Sequence, residues 1–94
     1  MEVRYKFYNT QGMPAWKLEQ TENNFKKHYS KLMSQIESLL VQKGEADTRV
    51  EIQIDIDLKN GKVFPPLVVI GNETEEDYEK YQQLKNEILA ILPQ

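Results

Sequence analysis

Between Val50 and Leu58 the chain alternates without a fault. Val50, Ile52, Ile54, Ile56 and Leu58 are apolar; Glu51, Gln53, Asp55 and Asp57 are polar or acidic. A period of two sustained this long is the signature of a strand with one buried face. Asn60-Gly61 follows, a dipeptide that tolerates φ > 0 at both central positions of a type I′ turn, and a second apolar run reaches Ile70. The pattern predicts a β-hairpin. With a two-residue loop, Lys59 faces Lys62, and the pairs run Leu58–Val63, Ile56–Pro65, Ile54–Leu67 and Ile52–Val69. All four are apolar and share a face, so turn chemistry and binary pattern agree.

In that register the opposite face carries Glu51, Gln53, Asp55 and Asp57 from one strand and Phe64, Pro66, Val68 and Ile70 from the next. A sheet covered by helices on one side normally keeps its other side polar, so the apolar half needs an account. The strip of Phe64, Val68 and Ile70, extended by Tyr8 and Trp16, reads as an interaction surface, because contiguous exposed apolar area rimmed by charge usually marks one. At roughly 1.5–3 kcal/mol for each side chain fully buried, three of them suffice to anchor a partner. The competing expectation is that the loop from Asn9 to Trp16 folds across the strip.

Around the hairpin the order is β-α-β-β-α. Val3, Tyr5 and Phe7 alternate with Arg4, Lys6 and Tyr8 as a first strand. Gly12 and Pro14 mark a loop. From about Leu18, apolar residues at Leu18, Phe25, Tyr29, Leu32, Ile36, Leu39 and Leu40 follow helical spacing. Pro14 at the first helical position and Thr21 as N-cap are alternative starts, and Gly44 after Lys43 is the stop. Thr74 and Asp77 form a capping-box-like start for a second helix with Tyr78, Tyr81, Leu84, Ile88, Ile91 and Leu92 on one stripe. Arg4 and Lys6 on strand one would suit the acidic face of strand two, and a right-handed crossover makes that pair parallel. The expected fold is α+β, a three-stranded mixed sheet in the order 1-2-3 with two helices on the Val50/Ile52/Ile54 face. Strand one against strand three is the alternative, disfavoured by Pro65 and Pro66, which cannot donate to a ladder.

Ninety-four residues form one domain, residues 1–94, since a second core would lack apolar surface. A net charge of −3 argues against a nucleic-acid or anionic-membrane binder, and the absence of cysteine excludes disulfides and thiolate metal sites. Met1 to Tyr8 has no apolar core of a signal peptide and no run approaches a bilayer span, so a cytoplasmic protein is the expectation.

Candidates for chemistry are few. His28, the only histidine, stands among Lys26, Lys27 and Lys31 on the first helix, a solvated basic face too small for nucleic acid. Asp55 and Asp57, with Glu51, share a strand face at a spacing that suits a divalent cation or paired-carboxylate catalysis, but Arg4 and Lys6 are expected to neutralise them. Asn72-Glu73-Thr74 matches a glycosylation sequon, but with no secretion signal expected the Thr74 cap explains the triplet better. There is no phosphate loop and no nucleophile elbow. No catalytic residue, metal site or cofactor is assigned. The run Val50 to Asn72 with the helix after it resembles the hairpin–helix unit in the C-terminal domains of TonB and TolA, over less than half the chain; no role is carried over. The reading is a non-catalytic protein-binding module, of self-associating or inhibitor, immunity or adaptor type. It uses an apolar outer sheet face and the strand-three edge, where Pro65 and Pro66 restrict strand addition. Its partner is another protein or a second copy in a homodimer. An enzyme built on the strand carboxylates is the alternative.

Overall fold

The computed structural model describes residues 1–71 and 74–93; Asn72 and Glu73 of the sequon triplet lie outside the described residues. The order is strand β1 (Glu2–Tyr8), helix α1 (Ala15–Gln42), strands β2 (Val50–Asp57), β3 (Lys62–Val63) and β4 (Leu67–Ile70), a 3₁₀ turn (Glu75–Asp77) and helix α2 (Tyr78–Ile91). The class is α+β with the expected β-α-β-β-α order, β3 and β4 being two pieces of one strand.

β2 is the centre. β1 runs parallel to it in an unbroken register, Val3 beside Ile52, Tyr5 beside Ile54 and Phe7 beside Ile56. On its other side β2 pairs antiparallel with β3 and β4. Val50, Ile52, Ile54 and Ile56 are buried, as are Tyr29, Ile36 and Leu40 of α1 and Tyr81, Leu84 and Ile88 of α2. These residues form one core cluster, which places both helices on that face of the sheet.

α1 begins at Ala15 with Pro14 before it, so Thr21 lies inside the helix, its Oγ1 donating back to the Lys17 carbonyl at 2.8 Å. The helix closes as a Schellman motif. Gly44 takes φ +70°, its N–H donates to the Val41 carbonyl, and the Glu45 N–H donates to that of Leu40. At 1.5 Å per residue, the 28 residues of α1 run about 42 Å, against some 25 Å for an eight-residue strand. One end of the helix therefore overhangs the sheet.

The hairpin departs from expectation twice. Asp57 pairs with Lys62, so the loop is Leu58–Gly61 and not Asn60-Gly61 alone. Of these loop residues only Gly61 takes positive φ, +62°, which excludes a type I′ turn at Asn60-Gly61. The cause is the Asp57 carboxylate. Its Oδ1 accepts from the backbone N–H groups of Lys59 (3.0 Å) and Asn60 (3.2 Å), and its Oδ2 from Asn60 Nδ2 (2.7 Å), which holds a wider turn closed. This moves the pairing by two positions and keeps Val63 on the inner face, opposite Ile56.

The second departure reverses the faces. Phe64 donates its N–H to the Asp55 carbonyl at 2.9 Å, yet the next ladder pair is Gln53 with Leu67. Ile54 thus stands opposite both Pro65 and Pro66, a β-bulge built from two residues without N–H groups. Beyond it Val68 lies opposite Ile52 and Ile70 opposite Val50, in the core, with 7% and 4% of their surface exposed. Leu67 and Val69, expected inside, point outward and are 54% and 41% exposed.

Candidate protein-binding face

With both helices on one side, the other side of the sheet has three rows. β1 contributes Glu2, Arg4, Lys6 and Tyr8; β2 contributes Glu51, Gln53, Asp55 and Asp57; the broken third strand contributes Lys62, Phe64, Leu67 and Val69. Cations sit beside anions where β1 meets β2. Lys6 is level with Asp55, and Arg4 reaches Glu2 at 3.1 Å and Glu51 at 3.9 Å.

At one end the aromatic pair Tyr8 and Phe64 closes over β2, edge to face with centroids 6.0 Å apart. Lys6 Nζ lies 5.2 Å from the Tyr8 ring centroid and Lys62 Nζ 5.4 Å from that of Phe64, so each ring is flanked by a cation. Tyr8, Asn9, Asp55, Asp57 and Phe64 line a shallow hollow between them. Leu67 and Val69 continue the apolar surface along the third strand.

Of the residues expected on this face, Tyr8 and Phe64 are there. Val68 and Ile70 are not: the proline bulge turns them into the core, where Leu67 and Val69 had been expected. Trp16 is 66% exposed in the first turn of α1, and among the described residues no ring contact joins it to Tyr8 or Phe64. The loop after β1 does not seal the face. Asn9, at φ +57°, donates from Nδ2 to Asp57 Oδ1 at 2.9 Å, which pins the loop at the end of the sheet and leaves Leu67 and Val69 uncovered. Leu67 and Val69 were missed because the face of every residue after Pro66 depends on the bulge; the paired prolines were the signal.

The carboxylates of β2 are each engaged by the chain itself. Asp57 is buried, and the amides of Asn9 and then Asn60 hold its carboxyl below the usual carboxylate range. Asp55 accepts from Gln53 Nε2 at 3.0 Å, and Glu51 lies by Arg4. Among the described residues no three His, Cys, Asp or Glu side chains gather as metal ligands would. The acid/base and metal alternative needs unpaired carboxylates; Glu51 and Asp55 are engaged by Arg4 and Gln53, and Asp57 is buried and occupied in holding the turn. His28, with its ring 5.3 Å from that of Tyr29, and Lys26, Lys27 and Lys31 are exposed on α1, where Lys26 pairs with Glu22 at 3.0 Å.

A further charged cluster joins the helices. Lys43 meets Glu87 at 3.1 Å and Lys80 meets Glu45 at 3.0 Å, while Thr48 donates to Glu45. The Glu45 carboxylate is engaged by both Lys80 and Thr48, whereas Glu87 meets Lys43 through Oε1 alone and its Oε2 is buried without a hydrogen-bond partner among the described residues.

No helix among the described residues is long and apolar enough to cross a membrane. Comparison of the chain with protein-family models, curated proteins and solved structures finds no match in any of the three.

Proposed function

We propose that this chain is a small non-catalytic protein-binding module that docks its partner on the uncovered side of the sheet. The observation that carries the reading is the pairing of Leu67 and Val69, both outward and exposed, with the Tyr8–Phe64 aromatic pair on a face that no element among the described residues covers. Tyr8 and Phe64 supply rigid anchors, and Lys6, Lys62, Glu51 and Asp55 supply a charged rim, the anatomy expected of an interface centre and its surround. The simplest partner is a second copy, since a face used twice closes a symmetric dimer.

The test is sedimentation equilibrium on the wild type and on Leu67→Glu combined with Val69→Glu. Because both side chains are outside the core, the variant should keep its circular dichroism, with a thermal midpoint lowered only by a few degrees through the Glu51 opposite position 69. The reading predicts a wild-type dimer at micromolar concentration and a monomeric variant. A variant that dimerises as well as the wild type would contradict it, and a monomeric wild type would rule out the homodimer and pass the question to capture of another protein.

A further inference from the structure

The edge of the sheet formed by β1 is open, and its backbone can be read residue by residue. The Tyr8 carbonyl accepts from the Leu58 N–H at 3.1 Å, so Tyr8 turns its hydrogen-bonding groups toward β2. By the alternation of a strand, Lys6, Arg4 and Glu2 do the same, and Val3, Tyr5 and Phe7 turn theirs the other way. Among the described residues β1 pairs with β2 alone. The outer edge therefore presents an N–H and a C=O from each of Val3, Tyr5 and Phe7, a ready template for another strand.

The side chains of these same residues point to the helix side but are only partly buried. α1 provides a floor beneath them, with Phe25 6.1 Å from Phe7 and Tyr29 6.4 Å from Tyr5 between ring centroids. The opposite edge differs: Val68 and Ile70 of β4 are buried as whole residues.

We infer that the β1 edge takes an extended segment of another protein, added as a further strand in which apolar residues alternate with Asp or Glu. This rests on the protein-binding reading above and names a partner chemistry for a different part of the sheet. The chain holds its own example of what β1 accepts. On its paired side lies Val-Glu-Ile-Gln-Ile-Asp-Ile-Asp, with isoleucines beside Val3, Tyr5 and Phe7, Asp55 beside Lys6, and Glu51 near Arg4. Among the described residues no strand lies on its open side, so Arg4 and Lys6 have a cross-strand anion on the β2 side alone, Arg4 being met as well by Glu2 of its own strand. An acidic residue level with each would supply one, while apolar residues between them would cover Val3, Tyr5 and Phe7.

A second copy of β1 fits poorly. The antiparallel register that uses all the free groups sets Val3 opposite Phe7 of the copy and Tyr5 opposite its own image. It also sets Arg4 opposite Lys6 twice, and like charges directly opposite are destabilising. Moving the register to bring Glu2 opposite Arg4 carries Phe7 past the end of the copy's β1, which begins at Glu2.

The test uses a fluorescein-labelled, capped eight-residue peptide alternating valine with aspartate or glutamate, titrated into the full chain by anisotropy. Its first control is the same peptide N-methylated at alternate residues on the pairing edge; its second has lysine in place of each acid. Saturable binding is expected, at least tenfold weaker for both controls, with NMR shift changes centred on the amides of Val3, Tyr5 and Phe7. Arg4→Glu combined with Lys6→Glu should reverse the preference toward the lysine peptide. The Leu67→Glu, Val69→Glu chain should bind as the wild type does, so failure here is separable from failure of the face. No binding by the wild type at about 1 mM peptide, or equal binding of the N-methylated peptide, overturns the inference without recourse to any variant.

Discussion

The two strands beside β2 meet it in opposite ways. β1 keeps one register for seven residues, turns apolar side chains to the helices and charges to solvent, and leaves its outer edge bare. The other arm is a wide turn, a two-residue strand, a proline bulge and a four-residue strand whose inward residues are fully packed. The difference teaches that alternation decides which face a residue occupies only while the ladder is unbroken. In β1 the pattern runs undisturbed. In the other arm Asp57 widens the turn and Pro65-Pro66 insert an extra residue, so that identical-looking valines at 68 and 69 have opposite fates.

The sharpest way to break this comparison is to place a charge on each of those valines. Val68→Asp buries a carboxylate opposite Ile52 and should cost about 3–5 kcal/mol, the scale of an uncompensated buried charge. Val69→Asp puts the same group on the exposed face, opposite Glu51, and should cost no more than about 1 kcal/mol. Urea unfolding followed by circular dichroism measures both; the reverse order would restore the two-residue turn and undo the bulge.

A smaller effect tests the cause of the wide turn. Asp57→Ala leaves the amide of Asn9 and the N–H groups of Lys59 and Asn60 without their acceptor, and should lower the thermal midpoint by several degrees at neutral pH. Asp57 titrates below its ordinary value in the folded chain, first through Asn9 and then through Asn60. The stability it contributes is therefore complete above the unfolded pKa of about 3.9 and is lost as pH falls through the lower folded value. Glu45, lowered by the Thr48 hydroxyl and then by Lys80, acts in the same direction. The gap between wild type and Asp57→Ala should therefore narrow on acidification below about pH 4, as thermal melts across that range would show. A constant gap would mean that the carboxylate's charge does not hold the turn.

Much of the fold was legible because local signals were strong and mutually consistent. Val3/Tyr5/Phe7, Val50 to Ile56 and the helical stripe through Tyr29, Ile36 and Leu40 each turn toward the core the residues their spacing implies, and Arg4 and Lys6 placed β1 beside the acidic strand. The candidate face was only half legible. Tyr8 and Phe64 precede the bulge and lie where alternation puts them. Val68 and Ile70 follow it, and their reversal needed the count of residues between Phe64 and Leu67 against the single Ile54. Asn-Gly pointed to a tight turn, but a carboxylate three residues before Asn60 offered the backbone a competing set of bonds. Trp16 differs for another reason: it stands in the first turn of a helix longer than the sheet, a matter of length that side-chain type does not reveal.

The central claim is that the sheet's β1 edge is open in the free chain, and per-residue amide hydrogen exchange at a concentration where the chain is monomeric tests it most directly. The account predicts alternation along β1: fast exchange at Val3, Tyr5 and Phe7, and slow exchange at Arg4, Lys6 and Tyr8, whose N–H groups face β2. Equal protection at all six positions would show the edge already covered and would contradict it.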